Sequence, residues 1–224
     1  MRIVDLLPHG HTDYLEADRL QRDLHQEVRA GGEDALILAE FTPTYTAGRH
    51  TRPEDVPDAS LPVIHVDRAG SVTWHGPGQL VVYPVVRLRE PVDVVAWIRA
   101  VEAGVLTALQ EEWDLPVRRI EGRAGVWLVS PGRRDRKICA IGLKVAGGAT
   151  LHGLALNIAP DLHHAFTGII PCGLSDADVT TLALEGVHTT VREAAQRVVP
   201  HLLESITPQL ATAPTTVRTV VNAA

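Results

Sequence analysis

The chain is poor in cysteine: Cys139 and Cys172 are the two present among 224 residues. Two cysteines cannot form a disulfide scaffold, and in a reducing compartment both stay as thiols, which leaves cysteine chemistry available. Long apolar runs are also missing. No stretch approaches the roughly 18 to 20 apolar residues of a membrane span. The opening residues, Met1-Arg2-Ile3-Val4-Asp5, lack the apolar run and small-residue cleavage site of a secretory signal. A cytoplasmic protein without a membrane role is therefore expected. Positive charge is in deficit: the net charge of −6 gives no global electrostatic support for nucleic-acid binding. The 11 histidines come without Cys-x-x-Cys or His-Glu-x-x-His spacing, and no P-loop or Rossmann fingerprint occurs, so neither a metal nor another cofactor is expected. Internal repeats and low-complexity segments are absent as well.

With 45% hydrophobic and 21% charged residues, the chain fits one large domain over residues 1–210, followed by a loose tail over 211–224. Leu15, Leu20, Leu24 and Val28 mark a helix over residues 14–30, stopped by Gly31-Gly32. The apolar run over 34–42 reads as a buried strand, 43–49 as a loop, 52–60 as a surface loop and 62–66 as a strand. Residues 68–84 form two β-rich arms joined by Gly76-Pro77-Gly78, which predicts a hairpin with His75 and Gln79 at its mouth. A helical stripe follows over 91–113. Strands are predicted over 117–120, 124–130, 137–145 and 151–158, and a last helix over 189–206, where Pro200 can kink it. This is a mixed sheet with packed helices, α/β in class.

Arg118, Arg119, Arg123, Arg133, Arg134, Arg136 and Lys137 stand against Glu121 and Asp135 in one stretch. Such a basic rim suits an acidic protein partner or a phosphate. Cys172, between Pro171 and Gly173 and outside any apolar period, is the better nucleophile candidate; Cys139, inside a strand, reads as a small buried hydrophobe. His75 and His152 each precede a glycine near a strand end, and a cysteine–histidine pair is one way to activate a thiol. Lys137 and Lys144 are an odd number apart, so regular alternation sends them to opposite faces and lets one of them approach the cysteine. Backbone N–H groups near Gly76, Gly78 or Gly142 are open to an oxyanion.

Five motifs follow one another within about Pro43 to Leu182: His75-Gly76-Pro77-Gly78-Gln79, Arg123-Ala124-Gly125-Val126-Trp127, Lys137-Ile138-Cys139-Ala140-Ile141-Gly142, His152-Gly153-Leu154-Ala155-Leu156-Asn157 and Pro171-Cys172-Gly173. Together they closely resemble the lipoyl(octanoyl) transferases of protein lipoylation. The resemblance implies the α/β fold of biotin and lipoate protein ligase catalytic domains. It implies transfer of an octanoyl or lipoyl group from octanoyl-acyl carrier protein to a lysine of lipoyl domains, those of 2-oxoacid dehydrogenase E2 subunits and of the glycine cleavage H protein. Cys172 would carry the acyl thioester, with Lys137 as its catalytic partner and no ATP or metal required. Substrate binding is expected along Arg68-Ala69-Gly70-Ser71-Val72-Thr73-Trp74-His75, Ala140-Ile141-Gly142 and Gly153-Leu154-Ala155. The small residues Ala140, Gly142, Gly153 and Ala155 would leave room for a thin alkyl chain, or equally let a strand pack closely. Ala69 departs from the family's Arg-Gly-Gly, and a position needing φ above zero would shift the loop there. The alternatives are an ATP-dependent ligase on the same fold, which needs no cysteine, and a catalytically silent lipoyl-domain or carrier-binding module.

Overall fold

The computed structural model describes residues 1–170 and 176–221. Its elements are β1 (Arg2–Asp5), α1 (Tyr14–Arg29), β2 (Ala35–Ala39), β3 (Thr44–Ala47), β4 (Val63–His65), β5 (Val72–His75), β6 (Gln79–Val85), α2 (Val94–Trp113), β7 (Val117–Ile120), β8 (Arg123–Leu128), β9 (Asp135–Ala146), β10 (Ala149–Asn157), β11 (Ala177–Val179), α3 (Val191–Ile206) and β12 (Arg218–Val221). Among the described residues, a mixed sheet runs in the order β12-β1-β2-β6-β10-β9-β8-β7, with β11 also paired to β9, and a second, three-stranded sheet runs β4-β3-β5.

Strand alternation sorts the large sheet's side chains into two cores. Leu36, Leu38, Leu80 and Val82 face the side covered by α2 and α3, where Trp97, Val101, Val105, Val198 and Leu202 pack. Ala35, Ile37, Ala39, Val81, Tyr83 and Val85 face α1, meeting Tyr14, Ala17, Leu24 and Val28. A third cluster, with Val72 and Trp74 at its centre, closes the small sheet against Ala165 and Ile169. The helices begin where the sequence supplies caps: Asp13 accepts from the N–H groups of Leu15 and Glu16, Asp93 from that of Ala96, and Thr190 forms a reciprocal capping box with Glu193.

Four sequence expectations change. The arms on either side of Gly76-Pro77-Gly78 do form strands, and the turn closes with Gln79 N–H donating to Gly76 C=O at 3.2 Å. They do not pair with each other: β5 pairs with β3, and β6 lies between β2 and β10, so the turn is a crossing from one sheet to the other. Residues 44–47, expected in a loop, form β3, which finds partners on both sides in β4 and β5. The tail is not loose throughout, because β12 adds a parallel edge strand to β1; its Val-Arg-Thr-Val-Val run has β propensity without a half-buried period. Leu15 is 47% exposed, since the buried stripe of α1 is Tyr14, Ala17, Gln21, Leu24 and Val28.

The two helices over the first core cross closely at Gly104, where an added Cβ would stand 2.6 Å from Leu202 Cα. At the other end of the sheet, β11 pairs in parallel with the start of β9, Val179 opposite Lys137. Thr180 N–H then donates to Lys137 C=O at 3.0 Å. Glu185 locks this joint: it accepts both Nε and Nη2 of Arg136 at 3.0 and 3.1 Å and the Thr180 hydroxyl at 2.6 Å. Burial alone would raise the Glu185 pKa, yet the hydrogen bonds from Arg136 and Thr180 hold it below the usual range.

Two stability predictions follow from these contacts. Gly104→Ala gains about 1 kcal/mol of helix propensity but meets backbone, for which overpacking costs about 1–3 kcal/mol, so urea unfolding should show a net loss; a stabilised variant would refute the close crossing. Glu185→Gln should cost on the order of 1–3 kcal/mol at pH 7, the scale of a hydrogen bond to a charged group. A carboxylate with a depressed folded pKa contributes fully above its unfolded value of about 4.3 and loses that contribution as pH falls toward the folded value. The difference between the two proteins should therefore shrink below pH of about 4. A gap that is the same at neutral and acid pH would show that charge is not its origin.

Candidate active site

A cavity of about 330 Å³ lies between β9, β10 and the segment running from Arg68 to His75. Arg68, Ala69, Gly70, Ser71, Thr73 and His75 line it, as do Ala140, Ile141, Gly142, Gly153, Leu154 and Ala155. Val72 and Trp74, also expected there, alternate to the other face of β5 and fill the small sheet's core.

Arg68 holds the segment in place. Its buried guanidinium folds back to donate to Ala69 C=O and Ser71 C=O at 3.0 and 2.8 Å, and reaches Thr46 C=O and Oγ1 on β3 at 2.9 and 3.0 Å. Ala69 N–H donates to Leu143 C=O at 3.0 Å, which ties the segment to β9. The residue that needs the left-handed region is Gly70, with φ of 85°. Ala69 is not among the positive-φ residues, so its methyl group brings no backbone strain.

Of the two possibilities for the small residues, close packing accounts for both glycines. A Cβ on Gly142 would stand 3.0 Å from Ala69 O and 3.2 Å from Arg68 Cδ, and one on Gly153 would run into Val82 O and the Pro84 ring. These glycines admit protein: one lets the Arg68–Ala69 segment lie on β9, the other lets β10 approach β6. The cavity is what the close approach encloses.

β9 is irregular where it matters. Val126 pairs with Cys139 but Trp127 pairs with Lys137, so β9 carries one extra residue, Ile138. Ile138 and Cys139 both join the core under α2. Lys137 lines the cavity together with Ala140 and Gly142, while Lys144, two residues beyond Gly142, reaches Asp67 Oδ2 at 2.7 Å beside Arg68. The expectation of opposite faces for the two lysines fails because the bulge reverses the parity between them. Their roles still separate. Lys144 is bound to a carboxylate that also accepts Arg22 Nη2 at 3.1 Å and His152 Nε2 at 2.9 Å. Lys137 is 8% exposed, with Nζ 4.5 Å from the centre of the Trp127 ring. Among the described residues no carboxylate is paired with it.

Cys139 is fully buried, and burial pushes its thiol up to about 12, which removes it as a nucleophile. Cys172 lies outside the described residues. The histidines are poor bases. Burial, reinforced by the Arg68 charge, lowers the His75 pKa to about 3. Burial also lowers His152, whose Nε2 meets Asp67 and whose Nδ1 lies 3.3 Å from Gln21 Nε2, so both ring nitrogens are engaged. Gly78 N–H, one of the oxyanion donors considered, donates instead to Glu40 Oε1 at 2.7 Å. The basic rim is partly neutralised: Arg123 pairs with Asp176, Arg134 with Asp178 and Arg136 with Glu185, leaving Arg118, Arg119 and Arg133 as its exposed members outside those pairs. Among the described residues no group of three His, Cys, Asp or Glu side chains could hold a metal ion, and no helix is long and apolar enough to cross a membrane.

Some site residues escaped sequence reading. Glu102 on α2 is fully buried, accepting Arg99 Nη1 at 2.6 Å and Gly125 N–H at 3.0 Å, and so fixes the backbone of β8 beside Lys137. Its signal was a carboxylate one residue after Val101 in an otherwise apolar stripe. Asp67 is the meeting point of Arg22, Lys144 and His152, and nothing local distinguishes it. Asn157 sat in a quoted motif, but its bond to Gln79, Nε2 to Oδ1 at 2.9 Å, crosses between strands that sequence could not place side by side.

Comparison with known proteins agrees with this fold. The family model for the lipoyl protein ligase A/B catalytic domain matches residues 13–203. The octanoyltransferase of Mycobacterium sp. (strain KMS) is 46% identical over 94% of this chain and 88% of its own length. That of Corynebacterium aurimucosum is 44% identical over 91% of this chain and 80% of its own. Among solved structures, lipoate-protein ligase A bound with ATP superposes with a TM-score of 0.68 at 15% identity, covering 99% of this chain and 89% of that one. The bi-partite lipoate protein ligase of Thermoplasma acidophilum, determined with its E2 lipoyl domain, gives 0.66 at 15%, covering 92% and 82%. At that identity the structures speak for the fold alone, but the family match and the near relatives carry further: the chain belongs to the lipoyl protein ligase A/B catalytic domain family.

Proposed function

We propose that this protein is an octanoyltransferase, moving an octanoyl group from acyl carrier protein to a lysine of a lipoyl domain through a thioester on Cys172. The observation that carries the reading is Lys137: an ammonium enclosed in the cavity, over an aromatic ring and without a paired carboxylate among the described residues. Such a charge is poised to hold a thiolate and then to exchange a proton. The relatives named octanoyltransferase support the acyl group and the transfer. The neighbour determined with an E2 lipoyl domain supports a lipoyl domain as acceptor, here that of a 2-oxoacid dehydrogenase E2 subunit or the glycine cleavage H protein.

In the first half-reaction the Cys172 thiolate attacks the thioester carbon of octanoyl-acyl carrier protein, and the tetrahedral oxyanion collapses to expel the carrier thiolate. That thiolate takes a proton from the Lys137 ammonium and leaves as a thiol. In the second, a neutral lysine amine attacks the acyl-enzyme, the C–S bond breaks to regenerate the Cys172 thiolate, and the surplus N–H proton returns to Lys137. The thioester provides the driving force, so no ATP enters. Arg118, Arg119 and Arg133 are the exposed charges for docking an acidic carrier.

Intact-protein mass spectrometry after mixing with octanoyl-acyl carrier protein tests this reading. One added octanoyl group is expected on the wild-type protein and on Cys139→Ser, and none on Cys172→Ser. Lys137→Ala should slow adduct formation by about 10²–10⁴-fold, the range for losing a positioned acid–base group. Full activity of Cys172→Ser with ATP and free octanoate would instead make the protein a ligase. Tight binding of carrier or lipoyl domain with neither adduct nor transfer would make it a binding module.

A further inference from the structure

His75 is a buried imidazole that the two half-reactions above leave unused, and its hydrogen bonds fix which nitrogen carries the proton. Thr180 C=O can only accept, so Asn157 Nδ2, 3.0 Å away, donates to it. Asn157 Oδ1 is then the acceptor for Gln79 Nε2 at 2.9 Å. The same Gln79 Nε2 lies 3.4 Å from Trp74 C=O, a second carbonyl that requires a donor there. Gln79 therefore turns Oε1 toward His75 Nδ1 at 2.7 Å, and Nδ1 must hold the hydrogen. Both amide orientations are set by backbone carbonyls that cannot reverse, so the direction runs unbroken from Thr180 to the ring.

The ring itself is held in plane. It stacks on Tyr14 with centroids 6.1 Å apart and 12° between planes, and Phe41 meets it edge-on at 5.8 Å. His75 lines the cavity, and no described residue hydrogen-bonds its Nε2. With the proton on Nδ1, Nε2 presents a bare lone pair. Protonation is strongly opposed by burial and by Arg68, so this nitrogen accepts a hydrogen bond without taking the proton.

We infer that His75 Nε2 is the acceptor that orients the incoming amine, taking a hydrogen bond from one N–H of the acceptor lysine so that the nitrogen lone pair points at the acyl carbon, with Gln79 and Asn157 as positioning residues that set its tautomer. The inference rests on the acyl-transfer reading. An acceptor of this kind serves the aminolysis half-reaction and not the first, because the carrier's thioester brings no N–H to the reacting carbon. The proton released from the amine still goes to Lys137; His75 directs and does not transfer.

The test separates the half-reactions. Octanoyl adduct formation from octanoyl-acyl carrier protein and decay of the isolated adduct with a lipoyl domain are each followed by intact mass in wild type, His75→Leu and His75→Gln. For His75→Leu, transfer to the lysine should slow about tenfold or more, the scale of one lost transition-state hydrogen bond, and at least about threefold more than adduct formation does. His75→Gln, which can offer a carbonyl oxygen near the Nε2 position, should recover most of the loss. In wild type, ¹⁵N-histidine NMR should show His75 protonated on Nδ1 and bare on Nε2, and Gln79→Leu, which removes the acceptor for Nδ1–H, should admit the other tautomer. A proton on Nε2 in wild type, or equal slowing of both half-reactions in His75→Leu, overturns the inference. Absence of any transfer by the wild-type protein overturns the acyl-transfer reading beneath it, a result distinct from a wild type that transfers and a variant that loses both steps alike.

Discussion

The extra residue that β9 carries opposite the Val126–Trp127 junction decides what faces the cavity and what faces the core. A regular strand would place Lys137 on the same side as Cys139 and Leu143, among Val126, Leu128 and Leu156, where an ammonium finds no acceptor. Burial of that kind costs several kcal/mol unless the amine deprotonates. By absorbing Ile138 into the core, the bulge gives the apolar side an additional large side chain and returns the lysine to the cavity, beside Ala140 and Gly142. The pairing of β9 with β11 depends on the same geometry, since Val179 lies opposite Lys137 and the Glu185 joint with Arg136 and Thr180 braces the residue immediately before it. A bulge that re-aims a side chain into the cavity is stable here because it is held on both sides.

Charge around the cavity is arranged by the same economy of partners. Asp67 collects Arg22, Lys144 and His152; burial alone would raise its carboxyl, but these three hold it well below the usual carboxylate range. Glu102 is spent on Arg99 and the Gly125 N–H, and Arg68 on four backbone and hydroxyl oxygens of its own loop and β3. Among the described residues no carboxylate pairs with Lys137, so none of them cancels its charge. In a site of low effective dielectric that leaves the ammonium able to act on an anion brought to it, which water or a neighbouring carboxylate would otherwise mask.

Much of this was legible in the chain. Helices announced themselves through apolar stripes, and the strands from β6 to β10 through β-branched runs, because those signals are local. What failed was whatever depended on partners distant in sequence. Two arms around a Gly-Pro-Gly turn look like a hairpin until β2 and β10 compete for one of them and β3 for the other. The Thr-Tyr-Thr-Ala segment of β3 became a strand because two neighbours waited for it, and β12 because β1 offered an open edge. The parity argument for Lys137 and Lys144 was sound for a regular strand; a bulge leaves no mark in residue type, and Ile138 reads like any other strand residue. Among the candidate site residues, most of the motif positions line the cavity, but sequence left the purpose of Gly142 and Gly153 open, since the same absent side chain serves a ligand or a neighbouring backbone equally well.

The buried polar chain from Thr180 through Asn157 and Gln79 to His75 shows how the two sheets act as one device. β5 supplies His75, β6 supplies Gln79 and β10 supplies Asn157, while Thr180 belongs to the stretch that follows β11. The crossing at Gly76-Pro77-Gly78 is what permits this. A paired hairpin would satisfy β5 and β6 against each other, whereas a crossing carries His75 away into the small sheet while Gln79 stays in the large one, and their side chains meet across the corner at 2.7 Å. Each amide in the chain has its donor and acceptor ends assigned, so moving the imidazole proton requires turning at least one of them against a fixed carbonyl. The fold thus stores directional information in hydrogen-bond order, at the cost of four buried polar groups that must all stay satisfied. A cavity lined by apolar residues alone could hold an acyl chain; the ordered polar wall adds to it one hydrogen-bond acceptor whose direction is fixed by the fold.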